Sequence, residues 1–127
     1  MKIELANREI IHFIGIGGIG MSGLSLIMKS KGFKIQGSDL SLNKNIERLK
    51  REKIKIFIGQ KKQNLKNATI VVISSAIKKN NPEIIEAKKK KLPIITRGQM
   101  LAHIVSLNKN IVVVGSHGKT TTTSIIT

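Results

Sequence analysis

The stretch Gly115-Ser116-His117-Gly118-Lys119-Thr120 has the residue types of a loop that binds nucleotide phosphates. In such a loop, backbone N–H groups at a helix N-terminus converge on phosphate oxygens, a lysine adds positive charge and a threonine hydroxyl binds Mg²⁺. The spacing differs from the common pattern, because two residues instead of four separate the glycines. We predict catalytic roles for Lys119 and Thr120, with Thr120 also binding Mg²⁺. The predicted ATP-binding residues are Gly115, Ser116, His117, Gly118, Lys119, Thr120 and Thr121.

An ordinary strand-to-helix turn is the alternative for this stretch. Threonines fill positions 120–123, and they are poor helix formers that a purely structural helix start would not need. A function in phosphate binding therefore explains the stretch better.

A second glycine cluster, Gly15-Ile16-Gly17-Gly18-Ile19-Gly20, follows an apolar run near the other end of the chain. It fits the G-x-G-x-x-G pattern, in which glycines make a tight turn and let the backbone approach a pyrophosphate. Asp39 follows Gly20 by 19 residues, where a carboxylate can accept a hydrogen bond from a ribose hydroxyl. The alternative is a glycine-rich turn needed only for packing. Taken alone, this unit predicts the NAD-binding domain of an oxidoreductase.

Apolar runs rich in β-branched residues alternate with helix-like segments, which predicts an α/β fold with a Rossmann-like parallel sheet flanked by helices. Predicted strands lie at residues 10–14, 33–37, 54–58, 69–73 and 92–96. Predicted helices cover residues 19–31, 43–51 and 97–107, and another begins at Asn81-Pro82-Glu83. Residues 108–110 look like a hinge, and residues 111–114 are predicted to be the first strand of a second domain. The predicted domains are therefore residues 1–107 and 108–127.

The composition suits a globular domain of 127 residues, with 40% hydrophobic side chains and no cysteine. Absent cysteines and no recognisable signal peptide favour a cytoplasmic protein. The net charge of +16 would suit a polyanion. The lysines are scattered along the chain, however, and no aromatic residues interleave with them as in nucleic-acid-binding surfaces. We therefore expect no nucleic-acid partner. A basic nucleic-acid-binding module stays a competing hypothesis.

Residues 10–28 are almost free of charge and approach the length of a membrane span. Five glycines interrupt this run, and each would cost a helix about 1 kcal/mol relative to alanine. We therefore expect a strand, a turn and a helix here, and no membrane insertion.

Two phosphate-binding loops in one chain require two phosphorylated ligands, which points to a ligase that uses ATP and a nucleotide-linked substrate. The segments that carry these loops resemble the Mur ligase family, and the similarity covers nearly all 127 residues. The resembling segments are Ile11 to Gly23, Gly37-Ser38-Asp39, Ser74-Ser75-Ala76-Ile77, Asn81-Pro82-Glu83 and Gly115 to Thr121. The first of them is most similar to the member that adds L-alanine.

The resemblance implies an ATP-dependent ligase that joins L-alanine to UDP-N-acetylmuramate through an acyl phosphate in peptidoglycan synthesis, with ATP and Mg²⁺ as cofactors. It implies that the first domain holds the UDP-sugar. The implied contacts are Gly15, Ile16, Gly17, Gly18, Ile19, Gly20, Met21, Ser22, Asp39, Ser74, Ser75, Ala76 and Arg97. Serines 74 and 75 could instead form only a capping turn.

The sequence departs from the family at one position. The family carries an Arg-x-Glu pattern where this chain has Arg97-Gly98-Gln99, so the role of that carboxylate is open here. The family's further metal ligands and its amino-acid-binding domain are not among these residues. We therefore expect the 127-residue chain to bind the UDP-sugar without turning it over.

Overall fold

A computed structural model describes the backbone of residues 8–116 and the side chains of residues 8–107. The strands are β1 (Ile10–Ile14), β2 (Lys34–Asp39), β3 (Lys55–Ile58), β4 (Ile70–Ile73) and β5 (Ile94–Thr96). The helices are α1 (Ile19–Ser30), α2 (Lys44–Arg51), α3 (Pro82–Lys89) and α4 (Arg97–Ser116), and a short 3-10 helix covers Lys62–Leu65.

All five strands are parallel and form one sheet in the order β3-β2-β1-β4-β5. Phe13 of β1 lies opposite Gly37 of β2 on one side and Val72 of β4 on the other. The strand order reverses between β1 and β4, and open α/β sheets bind ligands outside the carboxyl ends of the strands at such a reversal. The predicted α/β fold with a flanked parallel sheet is confirmed.

Each face of the sheet carries its own hydrophobic cluster. Ile11 and Phe13 point to one face and Ile14 to the other, because successive side chains of a strand alternate. The first face packs against α1, α2 and α4, and the second packs against α3. Within residues 8–116, no helix is both long enough and apolar enough to cross a membrane.

Helix starts follow the polar residues that precede them. The side chain of Asn43 accepts a hydrogen bond from the backbone N–H of Ile46 at the start of α2. The side chain of Asn81 accepts one from Glu83 at the start of α3, where Pro82 occupies the first helical position. These caps fix the ends of two loops that lie at the carboxyl edge of the sheet.

The predicted strand at residues 111–114 and the predicted hinge at 108–110 are wrong for this structure. Helix α4 continues through both, from Arg97 to Ser116. A strand needs neighbouring strands to satisfy its backbone N–H and C=O groups, whereas a helix satisfies them within itself. The described sheet offers this run no adjacent strand, since β5 is its edge on that side. The predicted domain boundary after residue 107 stays a prediction.

Candidate functional site

The first glycine cluster forms a turn that is tied to the end of β2. The backbone N–H groups of Gly15 and Ile16 both donate to the carbonyl oxygen of Ser38, each at 2.9 Å, and Gly18 donates to the carbonyl of Gly15 at 3.1 Å. Gly15 has φ +79°, a conformation that side-chain-bearing residues rarely adopt. The sequence pattern therefore builds the tight turn that was predicted from it.

Asp39 lies at the end of β2 and contacts this turn directly. Its Oδ2 accepts a hydrogen bond from the backbone N–H of Gly17 at 2.7 Å. Its Oδ1 accepts one from the backbone N–H of Leu40, also at 2.7 Å. The carbonyl of Gly17 accepts from Nδ2 of Asn45 at 2.9 Å. Gly17 is thus held on both its N–H and its C=O side.

Three amides of the turn remain available to a ligand. Ser22 makes the first hydrogen bond of α1, donating to Gly18 at 2.8 Å. In the part of the chain that the structure describes, the backbone N–H groups of Ile19, Gly20 and Met21 donate to no protein acceptor. A helix N-terminus with free amides attracts anions, because the amides and the helix dipole both favour negative charge.

Arg97 reaches this helix start from the end of β5. A Cβ placed on Gly20 would lie 2.9 Å from Cδ and 3.0 Å from Nε of Arg97, so the arginine side chain packs against the Gly20 backbone. Arg97 is half-buried. Guanidinium groups bind phosphate oxygens with planar, bidentate geometry. Arg97, one of the contacts that the family resemblance implies, therefore lies against the glycine cluster in the fold.

A cleft of about 680 Å³ opens beside the turn, at the carboxyl ends of β1, β2 and β4. We call it the glycine-loop cleft. Its lining is formed by Gly15, Gly17, Gly18, Asp39, Leu40, Asn43, Gln60, Ser74, Ala76, Ile77, Lys78, Asn80, Asn81 and Pro82. Ligand sites of small molecules commonly have volumes of about 300–1,000 Å³. Four of its lining residues carry side-chain amides, namely Asn43, Gln60, Asn80 and Asn81.

A second pocket, of about 460 Å³, lies on the other side of the segment after β4. Ser74 and Ile77 line both this pocket and the glycine-loop cleft. Ser75 and Arg97 line only the second pocket, together with the lysines at 79 and 88. We call it the β5 pocket. Its basic residues suit an anionic group.

Several predicted contact residues point away from these cavities. The side chains of Ile16, Met21 and Ser22 are buried, with exposures of 0%, 2% and 5%. The Ser22 hydroxyl donates to the carbonyl of Ile19 at 3.1 Å. Ile19, by contrast, is 90% exposed. The structure thus brings together Gly15, Gly17, Gly18, Asp39, Ser74 and Ala76 at one cleft, with Ser75 and Arg97 at its neighbour.

The structure describes only the first two residues of the predicted ATP loop. Gly115 and Ser116 belong to the last turn of α4. His117, Gly118, Lys119, Thr120 and Thr121 lie outside the described residues.

A buried carboxylate lies close to the glycine-loop cleft. Oε1 of Glu83 accepts from His12 Nε2 at 2.8 Å and from the Ser38 hydroxyl at 2.6 Å. Its Oε2 accepts from Asn64 Nδ2 at 2.7 Å and from the backbone N–H of Lys61 at 3.2 Å. Burial raises the pKa of Glu83, but the hydrogen bond and charge interaction with His12 and the hydrogen bonds from Ser38 and Asn64 outweigh burial and hold that pKa below its ordinary value. The carboxylate is thus ionised and saturated with donors.

The sequence did not predict this network or the amide residues of the cleft. Asn81-Pro82-Glu83 was predicted only as the start of a helix, and nothing in that pattern marks Glu83 as buried. Polar residues clustered after predicted strands were the available signal for Gln60 and Asn80, because strand ends of a parallel sheet share one edge. His12 lies in the strand that was predicted at residues 10–14, and both nitrogens of its ring are hydrogen-bonded, to Glu83 and to Gln36.

Comparison with known proteins relates this site to one enzyme family. Residues 10–109 match the Mur ligase family, catalytic domain. The chain is 74% identical over 126 residues to UDP-N-acetylmuramate–L-alanine ligase of Pelagibacter ubique, a match that covers 99% of this chain and 27% of that protein. It is 60% identical over 128 residues to the protein of the same name from Rickettsia prowazekii, covering 99% of this chain and 26% of that protein.

A solved structure shares the fold. The UDP-N-acetylmuramate-alanine ligase of Thermotoga maritima superimposes with a TM-score of 0.70 at 33% identity, over 79% of this chain and 23% of that one. The chain therefore spans about a quarter of the length of the curated relatives described above.

Proposed function

This chain belongs to the Mur ligase family, and on that premise we propose that it is the UDP-sugar-binding part of an ATP-dependent ligase that joins L-alanine to UDP-N-acetylmuramate. One observation carries the proposal most. The glycine-loop cleft opens where the strand order reverses, beside a helix start with three free amides and an arginine. This arrangement offers separate places for a nucleoside and for its phosphates.

We propose that the uridine occupies the glycine-loop cleft. Uracil presents carbonyl acceptors and one N–H donor, and the side-chain amides of Asn43, Gln60, Asn80 and Asn81 can serve both. The apolar side chain of Ile77 lines the same cleft and can pack against a flat ring.

We propose that the diphosphate binds at the N-terminus of α1. The free amides of Ile19, Gly20 and Met21 would donate to phosphate oxygens, and Arg97 would neutralise their charge. The serines of the β4 loop, Ser74 and Ser75, can add hydroxyl donors from the opposite wall. The sugar would then extend towards the β5 pocket, which shares Ser74 with the cleft.

The proposed roles of ATP and Mg²⁺ rest on the sequence from Gly115 to Thr121. Of these residues the structure describes only Gly115 and Ser116, in the last turn of α4. We assign ATP, Mg²⁺ and L-alanine to the full-length ligase. The curated relatives are about four times as long as this chain.

Calorimetric titration of the 127-residue chain tests the proposal. We expect saturable binding of UDP-N-acetylmuramate and of UDP, with little binding of NAD or of a short oligonucleotide. The same chain should show no ATP-dependent ligation of L-alanine. Tight binding of NAD without binding of UDP-N-acetylmuramate would assign the cleft to an oxidoreductase instead.

A further inference from the structure

Both carboxylate oxygens of Asp39 are already engaged by the protein's own backbone. Oδ2 accepts from Gly17 and Oδ1 from Leu40, each at 2.7 Å. Hydrogen bonds of this length to an ionised carboxylate are charge-assisted and stronger than neutral ones. The carboxylate thus joins the end of β2 to the centre of the glycine turn.

The space around Gly17 leaves no room for a side chain. A Cβ on Gly17 would lie 2.7 Å from Oδ2 of Asp39 and 3.0 Å from Cδ1 of Ile46. Gly17 is buried, and Asn45 holds its carbonyl at 2.9 Å. Two side chains from the β2–α2 segment therefore fix one glycine of the turn.

In dinucleotide-binding domains the acidic residue after the second strand accepts hydrogen bonds from the ribose hydroxyls. If Asp39 turned towards a ribose here, the buried N–H of Gly17 would lose its acceptor, which is unfavourable. The turn would also lose its link to β2 just before the free amides of α1.

From these contacts we infer that Asp39 is a positioning residue, whose main contribution to binding is to hold the glycine turn in its binding conformation rather than to bind the ligand's ribose. Asp39 should consequently contribute equally to the binding of uridine and 2′-deoxyuridine diphosphates. This inference rests on the proposed uridine-diphosphate site.

A thermodynamic cycle between ligand and side chain tests it. The 127-residue chain and its Asp39→Asn variant are titrated with UDP and with 2′-deoxy-UDP. We expect Asp39→Asn to weaken the binding of UDP and of 2′-deoxy-UDP equally, by about tenfold for one lost charge-assisted hydrogen bond. A tenfold loss on removal of the 2′-hydroxyl that disappears in Asp39→Asn would overturn the inference.

Glu52→Gln is the matched control, because it removes an exposed carboxylate that does not line the cleft. It should leave the affinities for UDP and 2′-deoxy-UDP within about twofold of the parent values, since solvent and salt screen an exposed charge outside the cleft. An equal loss in Glu52→Gln would show that net charge, and not the turn, explains the effect of Asp39.

Amide hydrogen exchange tests the same inference without any ligand. In Asp39→Ala, which leaves the Gly17 N–H no side-chain acceptor, the amide of Gly17 should exchange at least about tenfold faster, while the amide of Phe13 in the core stays protected. Unchanged exchange at Gly17 would overturn the positioning role. If the parent chain binds neither nucleotide, the proposed function fails, and the exchange result still decides whether Asp39 holds the turn.

Discussion

His12 Nε2 lies 2.8 Å from Oε1 of Glu83, although 71 residues separate them in the sequence, and both side chains are fully buried. The amide nitrogen of Gln36 lies 2.8 Å from His12 Nδ1 and also donates to the carbonyl of Asn64 at 3.0 Å. An amide nitrogen only donates, so Nδ1 must be the unprotonated acceptor. Nε2 therefore carries a proton and donates its hydrogen bond to Oε1 of Glu83.

This pair connects the layers of the fold close to the glycine-loop cleft. Glu83 lies in the first turn of α3, while His12 comes from β1, Ser38 from β2 and Asn64 from the 3-10 helix. None of the buried side-chain polar atoms that the structure describes lacks a partner. A saturated buried network of this kind stabilises a single arrangement of its elements.

Replacement of Glu83 by glutamine should lower the free energy of unfolding at pH 7 by about 1–3 kcal/mol, because the amide leaves at least one buried donor without an acceptor. Urea unfolding of both proteins measures the difference. Glu47→Gln is the control: Glu47 is exposed on α2, and the change should stay within about 0.5 kcal/mol. A Glu83→Gln variant as stable as the parent would contradict the role of the network.

The stabilisation from Glu83 should depend on pH in a defined direction. Its pKa is lowered in the folded protein from an ordinary value of 4.5, so its contribution is complete above that value. The contribution is lost as the pH falls through the folded pKa. The stability difference between the parent and Glu83→Gln should therefore narrow below pH 4.5 in urea unfolding at a series of pH values. A constant difference would argue against an ionised, hydrogen-bonded carboxylate.

Strands that are buried on both faces could be predicted from the sequence. The run at residues 10–14 was predicted with the observed bounds, and the run at 69–73 to within one residue, because both are rich in β-branched apolar residues. The run at 111–114 has the same composition but is helical here. Composition reports that a segment suits a strand, whereas a strand also requires a neighbour to pair with.

The glycine turn and Asp39 were predicted as parts of one site, and they contact each other across 22 residues. The Glu83 network was not predicted, because its partners are scattered over the chain and each residue type is ordinary in its local context. Local patterns identify turns and caps, but tertiary packing alone decides which polar side chains become buried together.

Thr96 and Gln99, the residue that replaces the family's glutamate, form a reciprocal pair at the start of α4. The Thr96 N–H donates to Oε1 of Gln99 at 3.0 Å, and the Gln99 N–H donates to Oγ1 of Thr96 at 3.1 Å. This is a capping box, in which glutamine and glutamate are equivalent acceptors. Gln99→Glu should therefore keep the cap and add about 0.3–1 kcal/mol of stability, since a negative charge favours a helix N-terminus.

Thr96→Ala should instead cost about 1 kcal/mol, because it removes the N-cap acceptor. Thermal unfolding of both variants gives the comparison. UDP affinity should be unchanged in Gln99→Glu, since Gln99 lines neither cavity. A Gln99→Glu variant that unfolds more readily than the parent would show that the amide group makes a further contact.

Arg97→Ala should weaken binding of UDP by about ten- to a hundredfold, because a charge-assisted contact to phosphate is lost. The free energy of unfolding of Arg97→Ala should change little, because the side chain is only partly buried where it packs on the Gly20 backbone. Arg97→Lys should give an intermediate affinity, because lysine keeps the charge without the bidentate geometry. Arg51→Ala, an exposed arginine at the end of α2, is the matched control. Equal losses in Arg97→Ala and Arg51→Ala would indicate a general charge effect.

Two glycines of the same region should respond oppositely to alanine. Gly17→Ala places a Cβ 2.7 Å from Oδ2 of Asp39, so the turn must shift, and we expect a loss of about 1–3 kcal/mol in stability. UDP affinity should also fall, because the free amides of α1 follow the turn directly in the sequence.

Gly23 lies inside α1 with nothing within 4 Å of an added Cβ. Gly23→Ala should raise stability by about 0.5–1 kcal/mol and leave UDP affinity unchanged. Calorimetry and urea unfolding of both variants separate a requirement for space at Gly17 from a general preference for glycine. If Gly17→Ala matched the parent in both measurements, the close approach of Asp39 to the turn would have no consequence for binding.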